Sequence, residues 1–418
     1  MGGERKTAAC LAVGSELLGD HRLDSNSLKI TRALSRYGLA VTEKRVIGDS
    51  VEWLAAAIGE LFNRHDVVVI TGGLGPTADD ITRDAVARAL DRAIESDAEV
   101  ENWIRARYAE LGRVMPDICL TMARVVAGSE PLRNNRGSAP GLLLEEGGRL
   151  LAAFPGVPWE MEEMLERDLE PRVAEMCPGV CKMSRTLLLG GVVESDTEEK
   201  IQHLYDDFGR EDITILASYG VLRLVLTALG DESAAMARLD AMETAFRKVL
   251  GADVAAVDVD SLPEVVLAEL GRKKQSLAVA ESCTGGLMSA HLTDVPGASE
   301  VFLGGVVSYS NHAKEHLIDV PHEMLVEHGA VSEEVARAMA EGVRGRFGSD
   351  WGAGITGIAG PTGGTEEKPV GLVHWAVAGP DGVTARHRVF LGDRSIVRVW
   401  SLNATLDHLR RRLLALER

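Results

Sequence analysis

Apolar and polar positions change rhythm repeatedly along this chain. The run AACLAV (8–13) reads as a strand. Residues 26–37 carry Leu28, Ile30, Leu34 and Tyr37 near helical spacing. AVTEKRVI (40–47) predicts a second strand and 53–63 a helix. DVVVIT (66–71) predicts a strand buried on both faces, and 82–90 another helix. This alternation predicts a doubly wound α/β sheet with right-handed crossovers. The pattern continues through GRLLAAFPGVP (148–158) and one helix over 159–176.

The texture changes after CPGVCK (177–182). Residues 184–258 read strand, helix, strand, strand, helix, which is a small α+β module. SLPEVVLAEL (261–270) opens a third, α/β unit. Its strands are expected at 276–282, 302–310, 351–358, 371–379 and 384–391, with helices at 331–347 and the C-terminus. At roughly 150 residues per domain, the 418 residues suggest about three domains. The expected boundaries are 1–172, 173–258 and 259–418.

The formal charge, 45 Lys+Arg against 63 Asp+Glu, is −18. That counts against a general nucleic-acid binder, whose affinity rests on basic side chains. It leaves room for a nucleotide, because a helix N-terminus holds phosphate on an acidic protein. No apolar run is long enough to cross a bilayer, and MGGERKTAACLAVGSELL reads as a first core strand and not a signal peptide. The five cysteines are too scattered for a disulfide framework, and Cys177/Cys181 lacks the second half of a zinc site. A reducing, cytoplasmic setting is expected.

In VVVITGGLGPTADDITRDAV (67–86) a buried strand runs into Gly72, Gly73 and Gly75, then Thr77, Asp79 and Asp80, then a helix. Ligands bind at the carboxyl ends of such strands. The glycines let backbone approach a ligand, and the helix start offers N–H groups to phosphate. Asp79 and Asp80 suit either helix capping or Mg²⁺ ligation. The spacing matches neither a dinucleotide fingerprint nor a P-loop. Asp49, and Glu16 and Asp24 with Asn26, sit at neighbouring strand ends, where solvated loop residues are the plainer reading.

AESCTGGLMSAHL (280–292), GGVVSYSNHAKEHL (304–317) and GITGIAGPTGGTEEKPVG (354–371) form the densest constellation. Ser282, Cys283 and Thr284 crowd a strand-to-helix turn, and Gly285 and Gly286 then open a helix. A hydroxyl beside backbone donors suits acyl transfer. Lys314, just beyond a strand ending near Tyr309, is the candidate base, with Tyr309 or Thr356 tuning proton transfer. Cys283 as nucleophile, or Ser282 as a mere cap, stays open. His312 and His316 are four apart but have no evident third ligand.

The N-terminal segments GSELL with DSN, RVIGDS, TGGLGPTADDIT, GSAPG and FPGVPWEM together resemble the molybdopterin-binding-like domain of the competence- and damage-inducible CinA family. The resemblance implies metal-dependent hydrolysis of ADP-ribose. The TGGLGP loop (Gly72, Gly73, Gly75, with Thr77 and Asn26) would hold substrate, and Asp80, with Asp49 and Asp79, a divalent ion such as Mg²⁺ or Co²⁺. GSELLGDHRLDSN departs from that family's commoner pattern while keeping Glu16 and Asn26. The middle module resembles a KH-type fold. It lacks a GxxG loop, and over 174–258 it carries 8 basic against 15 acidic residues, a net of −7, so a structural or dimerisation role is expected.

AESCTGG, GGVVSYSN, TGIAGP, EKPVG and GDR resemble the CinA C-terminal, nicotinamide mononucleotide amidohydrolase domain. The resemblance implies cofactor-free deamidation to nicotinate mononucleotide. Ser282 would be the nucleophile and Lys314 the base, with Tyr309 and Thr356 supporting them. Gly285, Gly286, Gly357 and Gly360 would line the site, and Arg394 would meet the substrate phosphate. Thr362 and Glu366 depart from the family's commoner loop. The expected partners are these small nucleotides and a second copy of the chain, with no membrane and no nucleic acid. A non-hydrolytic pterin-binding N-domain and a scaffold for DNA uptake or repair are the competing readings.

Overall fold

The computed structural model describes residues 6–20 and 22–415. The chain divides into two compact units, 1–183 with 228–236, and 184–227 with 237–418.

In the first unit, β1 (Thr7–Val13), β2 (Ala40–Ile47) and β3 (Val67–Thr71) alternate with α1 (Asn26–Arg36), α2 (Val51–Arg64) and α3 (Thr82–Ala89). A ribbon follows, β4 (Ile94–Ser96) with β5 (Arg124–Val126), flanked by α4 (Ala98–Glu110). β6 (Glu130–Leu132), β7 (Gly141–Glu146) and β8 (Arg149–Phe154) complete a six-stranded sheet in the order β2-β1-β3-β8-β7-β6. β2, β1, β3 and β8 run parallel, while β7 and β6 are antiparallel additions. Side-chain alternation makes the sheet two-faced. Leu11, Val68 and Ile70 join the core under α2 and α3, while Cys10, Val67 and Val69 join the core with Ile30 and Leu34 of α1.

The helix expected over 159–176 is three pieces: α5 (Pro158–Met164), a π-turn over Leu165–Leu169, and α6 (Glu170–Met176). Pro171 has no N–H to return to the preceding turn, so the ladder changes register there.

A four-stranded sheet comprises β9 (Cys181–Gly190), β10 (Ile213–Ser218), β11 (Val221–Gly230) and β12 (Val254–Val257), in the order β10-β11-β9-β12. Its helices are α7 (Glu194–Ile201), α8 (Leu204–Phe208) and α9 (Glu232–Leu250). The edge strand β12 was not anticipated. It is four residues long and its pairing with β9 is antiparallel and irregular, so it has little periodicity to read.

The five-stranded sheet of the second unit follows α10 (Leu262–Lys273). It holds β13 (Leu277–Glu281), β14 (Phe302–Val307), β15 (Trp351–Gly357), β16 (Leu372–Gly379) and β17 (Gly382–Val389), in the order β14-β13-β15-β16-β17. Between them lie α11 (Leu287–Thr293), α12 (Asn311–Ile318), α13 (His322–His328) and α14 (Glu333–Phe347), and α15 (Arg394–Ala415) closes the chain. Leu277 and Val279 pack with Leu270, Leu406 and Leu409 of α10 and α15, while Ala278 and Ala280 pack with Val335 and Met339 of α14. A β-carbon at Gly352 or Gly354 would lie 2.1 Å from Ala340 O or 2.6 Å from Ala336 O, so β15 approaches α14 backbone to backbone. That close seat fixes the end of β15 beside the end of β13, where the chemistry gathers.

Candidate active sites

β13 ends at Glu281, and the turn that follows presents Ser282. Its N–H is held by Ile355 O of β15 at 2.9 Å. Across from it, α12 buries one face, made of Lys314 and Ile318 at i and i+4. Lys314 is 1% exposed, and its Nζ lies 3.0 Å from Ser282 Oγ and 2.8 Å from Ser308 O. No carboxylate forms an ion pair with Lys314 among the described residues. Burial pushes its ammonium down to about 8, the Cys283 charge acting weakly in the other direction. A neutral Nζ has two hydrogens and one lone pair. As the ammonium, Nζ donates to both Ser308 O and Ser282 Oγ; in the neutral form its lone pair is placed to accept the Ser282 hydroxyl proton.

The Cys283 alternative is not favoured by this geometry. Its thiol is buried and pushed up to about 12 by that burial, far from the thiolate a nucleophile needs.

The expected oxyanion donors need correction. Gly286 N–H donates to Glu281 Oε2 at 3.1 Å, and Gly285 N–H to Ser282 O at 3.1 Å. Fully buried Glu281 also accepts from Met288 N (3.0 Å), Ser289 N (2.8 Å) and Ser289 Oγ (2.7 Å). It caps the start of α11 from below and consumes that helix's free donors. In this turn, the N–H groups of Cys283 and Thr284 have no backbone acceptor among the described residues.

The supporting residues divide. Thr356 is 1% exposed and its hydroxyl donates to Ala330 O at 2.7 Å, so it pins β15 to the loop before α14 and makes no bond to Ser282 or Lys314. Tyr309 is exposed and its hydroxyl accepts from Arg394 Nη2 at 2.9 Å. Arg394 Nη1 donates to Gly360 O at 3.0 Å. Arg394 thus joins Tyr309 to the TGIAGP loop at the start of α15, with guanidinium donors to spare. Gly357 sits where a β-carbon would lie 2.8 Å from Leu372 O, so its first duty is strand packing. His312 and His316 stack at 3.9 Å on the exposed side of α12, and His316 Nδ1 is 2.9 Å from His312 O.

In the first unit, the loop after β3 is bonded mainly to itself. Gly72 N–H donates to Phe154 O at 2.9 Å. A β-carbon at Gly72, with φ +103°, would lie 2.4 Å from Val13 O. Asp80 accepts from Gly75 N (2.7 Å), Thr77 N (2.8 Å) and the Thr77 hydroxyl. Asp79 is exposed, and its carboxyl is held below the usual range first by the Thr77 hydrogen bond. Asp49 accepts from Ser15 N at 3.1 Å. Buried Asn26 donates to Thr71 Oγ1 (2.8 Å) and Gly156 O (2.9 Å), leaving its own oxygen unpartnered. Among the described residues, no three His, Cys, Asp or Glu side chains gather into a metal cage, so Asp49, Asp79 and Asp80 do not form one. Gly75, Thr77 and Asp80 line a cavity of about 310 Å³ with Arg83 and Arg124, whereas Asn26 faces a separate recess of about 30 Å³.

Residues 259–413 match the family model described as "CinA C-terminal domain", and residues 9–175 match "Probable molybdopterin binding domain". A CinA-like protein of Solibacter usitatus is 41% identical over 97% of this chain and 98% of its own length. One from Parasynechococcus marenigrum is 43% identical over 97% and 98%. This chain belongs to the CinA family. A CinA-like protein of Frankia casuarinae is 40% identical over 98% of this chain and 96% of its own length. No described helix is long and apolar enough to cross a membrane.

Two groups at this CinA-family centre escaped sequence reading. Glu281 is one. An acid at the end of an apolar strand is a signal in itself, because such a group is buried only with donors to meet it. Arg398 is the other, donating to Thr284 O from Nε (3.1 Å) and Nη2 (2.6 Å). Its i,i+4 spacing from Arg394 on α15 was the available clue.

Proposed function

We propose that the Ser282–Lys314 centre deamidates nicotinamide mononucleotide to nicotinate mononucleotide and ammonia. The observation that carries this is the 3.0 Å contact between Ser282 Oγ and a buried lysine with no acidic partner. Ser282 Oγ attacks the amide carbon while Lys314 Nζ takes its proton. The oxyanion that forms is met by the Cys283 and Thr284 N–H groups of the turn. Lys314 returns the proton to the leaving nitrogen, ammonia departs, and an ester to Ser282 remains. Water, deprotonated by Lys314, attacks that ester, and Ser282 Oγ recovers the proton as nicotinate mononucleotide leaves. Arg394, between Tyr309 and Gly360, takes the substrate phosphate bidentately. The test is to incubate the full chain with nicotinamide mononucleotide in EDTA and identify both products. Ammonia and nicotinate mononucleotide in equal amounts support the reading, and neither product refutes it.

For the first unit, the cavity beside Gly75–Asp80 favours a second reading, hydrolysis of ADP-ribose. A divalent ion held by one or two carboxylates and the substrate's phosphates needs no three-residue cage, and when bound it supplies positive charge to the diphosphate. Asp80 is the first candidate ligand, and Arg83 and Arg124 border the anion. AMP release from ADP-ribose on adding Mg²⁺ or Co²⁺, lost in Asp80→Ala, tests it. No release with either ion leaves this fold as a binding module.

A further inference from the structure

The second unit holds a cavity of about 650 Å³, within the roughly 300–1,000 Å³ range of small-molecule sites. None of Ser282, Lys314, Tyr309 or Arg394 lines it. Gly191, Gly220 and Asp253, around the four-stranded sheet, form one side, and β16, β17 and α15 form the other.

One wall is aromatic. Trp375 and Phe390 stack at 6.0 Å, and Phe390 and Trp400 at 5.6 Å, within 25° and 19° of parallel. Trp375 is only 6% exposed, and its indole N–H has no hydrogen-bond partner.

The adjoining wall is cationic. Trp375 opposes Arg386 across β16 and β17, so their side chains leave the same face, as does that of Arg388 two residues on. The Arg388 guanidinium lies 6.0 Å from the centroids of both Phe390 and Trp400. Neither Arg386 nor Arg388 has a carboxylate partner among the described residues. The acids of the cavity are already engaged: Asp407 with Arg410 and Arg411, Asp253 with Lys200 and Arg411, and Glu333 with Arg337. On a chain of net charge −18, two exposed and uncompensated guanidiniums beside an aromatic stack mark a local preference for anions.

We infer that this cavity is a second nucleotide site, separate from the Ser282 centre. A planar heteroaromatic ring packs on the Phe390–Trp400 wall, and its phosphate is held by Arg386 and Arg388. The site is assigned binding and no chemistry: its carboxylates are held in ion pairs, and His387 packs on the His374 ring at 5.1 Å.

The test is titration calorimetry of the full chain with AMP, adenosine and inorganic phosphate as probes. AMP is expected to bind saturably, with adenosine and phosphate each at least about tenfold weaker, and the AMP affinity is expected to fall as salt rises. The double variant Arg386→Gln/Arg388→Gln changes only exposed side chains, and is expected to keep its melting temperature while weakening AMP at least about tenfold. Trp400→Ala is expected to weaken AMP and adenosine alike. No saturable AMP binding would overturn the proposal. AMP binding unchanged in the arginine double variant would also overturn it, by placing the ligand elsewhere in the chain. Neither result depends on whether the Ser282 centre deamidates anything.

Discussion

The turn after β13 and the loop after β3 are built alike, each a glycine-rich link from a buried strand to a helix, yet they use their polar groups differently. In the β3 loop, Asp80 accepts three hydrogen bonds from its own loop, and the Gly72, Gly75 and Thr77 N–H groups are all engaged. Around the β13 turn, one buried acid, Glu281, takes the structural bonds, and the Ser282 hydroxyl is left to Lys314. Acidic residues beside glycines therefore say little about chemistry until their donors are counted. A buried lysine without an acid says more, because its environment favours the neutral, basic form.

The largest effect that would sharpen this contrast comes from Lys314→Met. Turnover of nicotinamide mononucleotide should fall by about 10³-fold or more, the upper part of the range for a general base. Because burial disfavours the charged ammonium, the same variant should be more stable near pH 7, by roughly 2 kcal/mol. Urea denaturation measures this gain, and a loss of stability would show that Lys314 is held for packing. Next is Glu281→Ala, which removes four hydrogen bonds to a buried carboxylate. It should cost about 3 kcal/mol in denaturant unfolding, since bonds to charged groups contribute roughly 1.5–3 kcal/mol each and repacking recovers part. A cost under about 1 kcal/mol would dissolve the division of labour described for the turn.

The pH dependence follows from the same lysine. Its neutral form is the base, and its folded value of about 8 lies below the ordinary 10.5. Deamidase kcat/KM should therefore rise with pH to a plateau above about 8, and drop about tenfold per unit below it. In stability the sign is the same. The penalty of burying the ammonium is full below about 8 and fades as pH rises toward 10.5. A flat rate profile between pH 6 and 9 would contradict the assignment. Arg394→Ala should act more mildly, raising KM about tenfold with kcat nearly kept, because it removes phosphate contacts remote from the amide. Smallest of all, Cys283→Ala should leave kcat within about threefold.

Much of this fold was legible because its strands are short apolar runs and its long helices strictly periodic. Residues 40–47 form the strand expected there, the strand expected over 302–310 stops at Val307, and the β3, β13 and β15 ends carry the expected motifs. The elements of 94–132 were not read. The strands of three residues there and the mostly exposed α4 have too few apolar positions to show a period. Ser282 and Lys314, 32 residues apart, are brought together by the parallel neighbours β13 and β14, which pattern alone does not reveal. The engagement of Gly286 N–H and Asp80 was invisible in sequence for a simpler reason: capping and ligand binding draw on the same residue types.

The most direct measurement is ammonia release from nicotinamide mononucleotide, in EDTA, by wild type and Ser282→Ala at equal concentration. The account predicts steady release by wild type and a loss of about 10⁴-fold or more in the variant. Release that survives Ser282→Ala within tenfold would contradict it and remove Ser282 as the nucleophile.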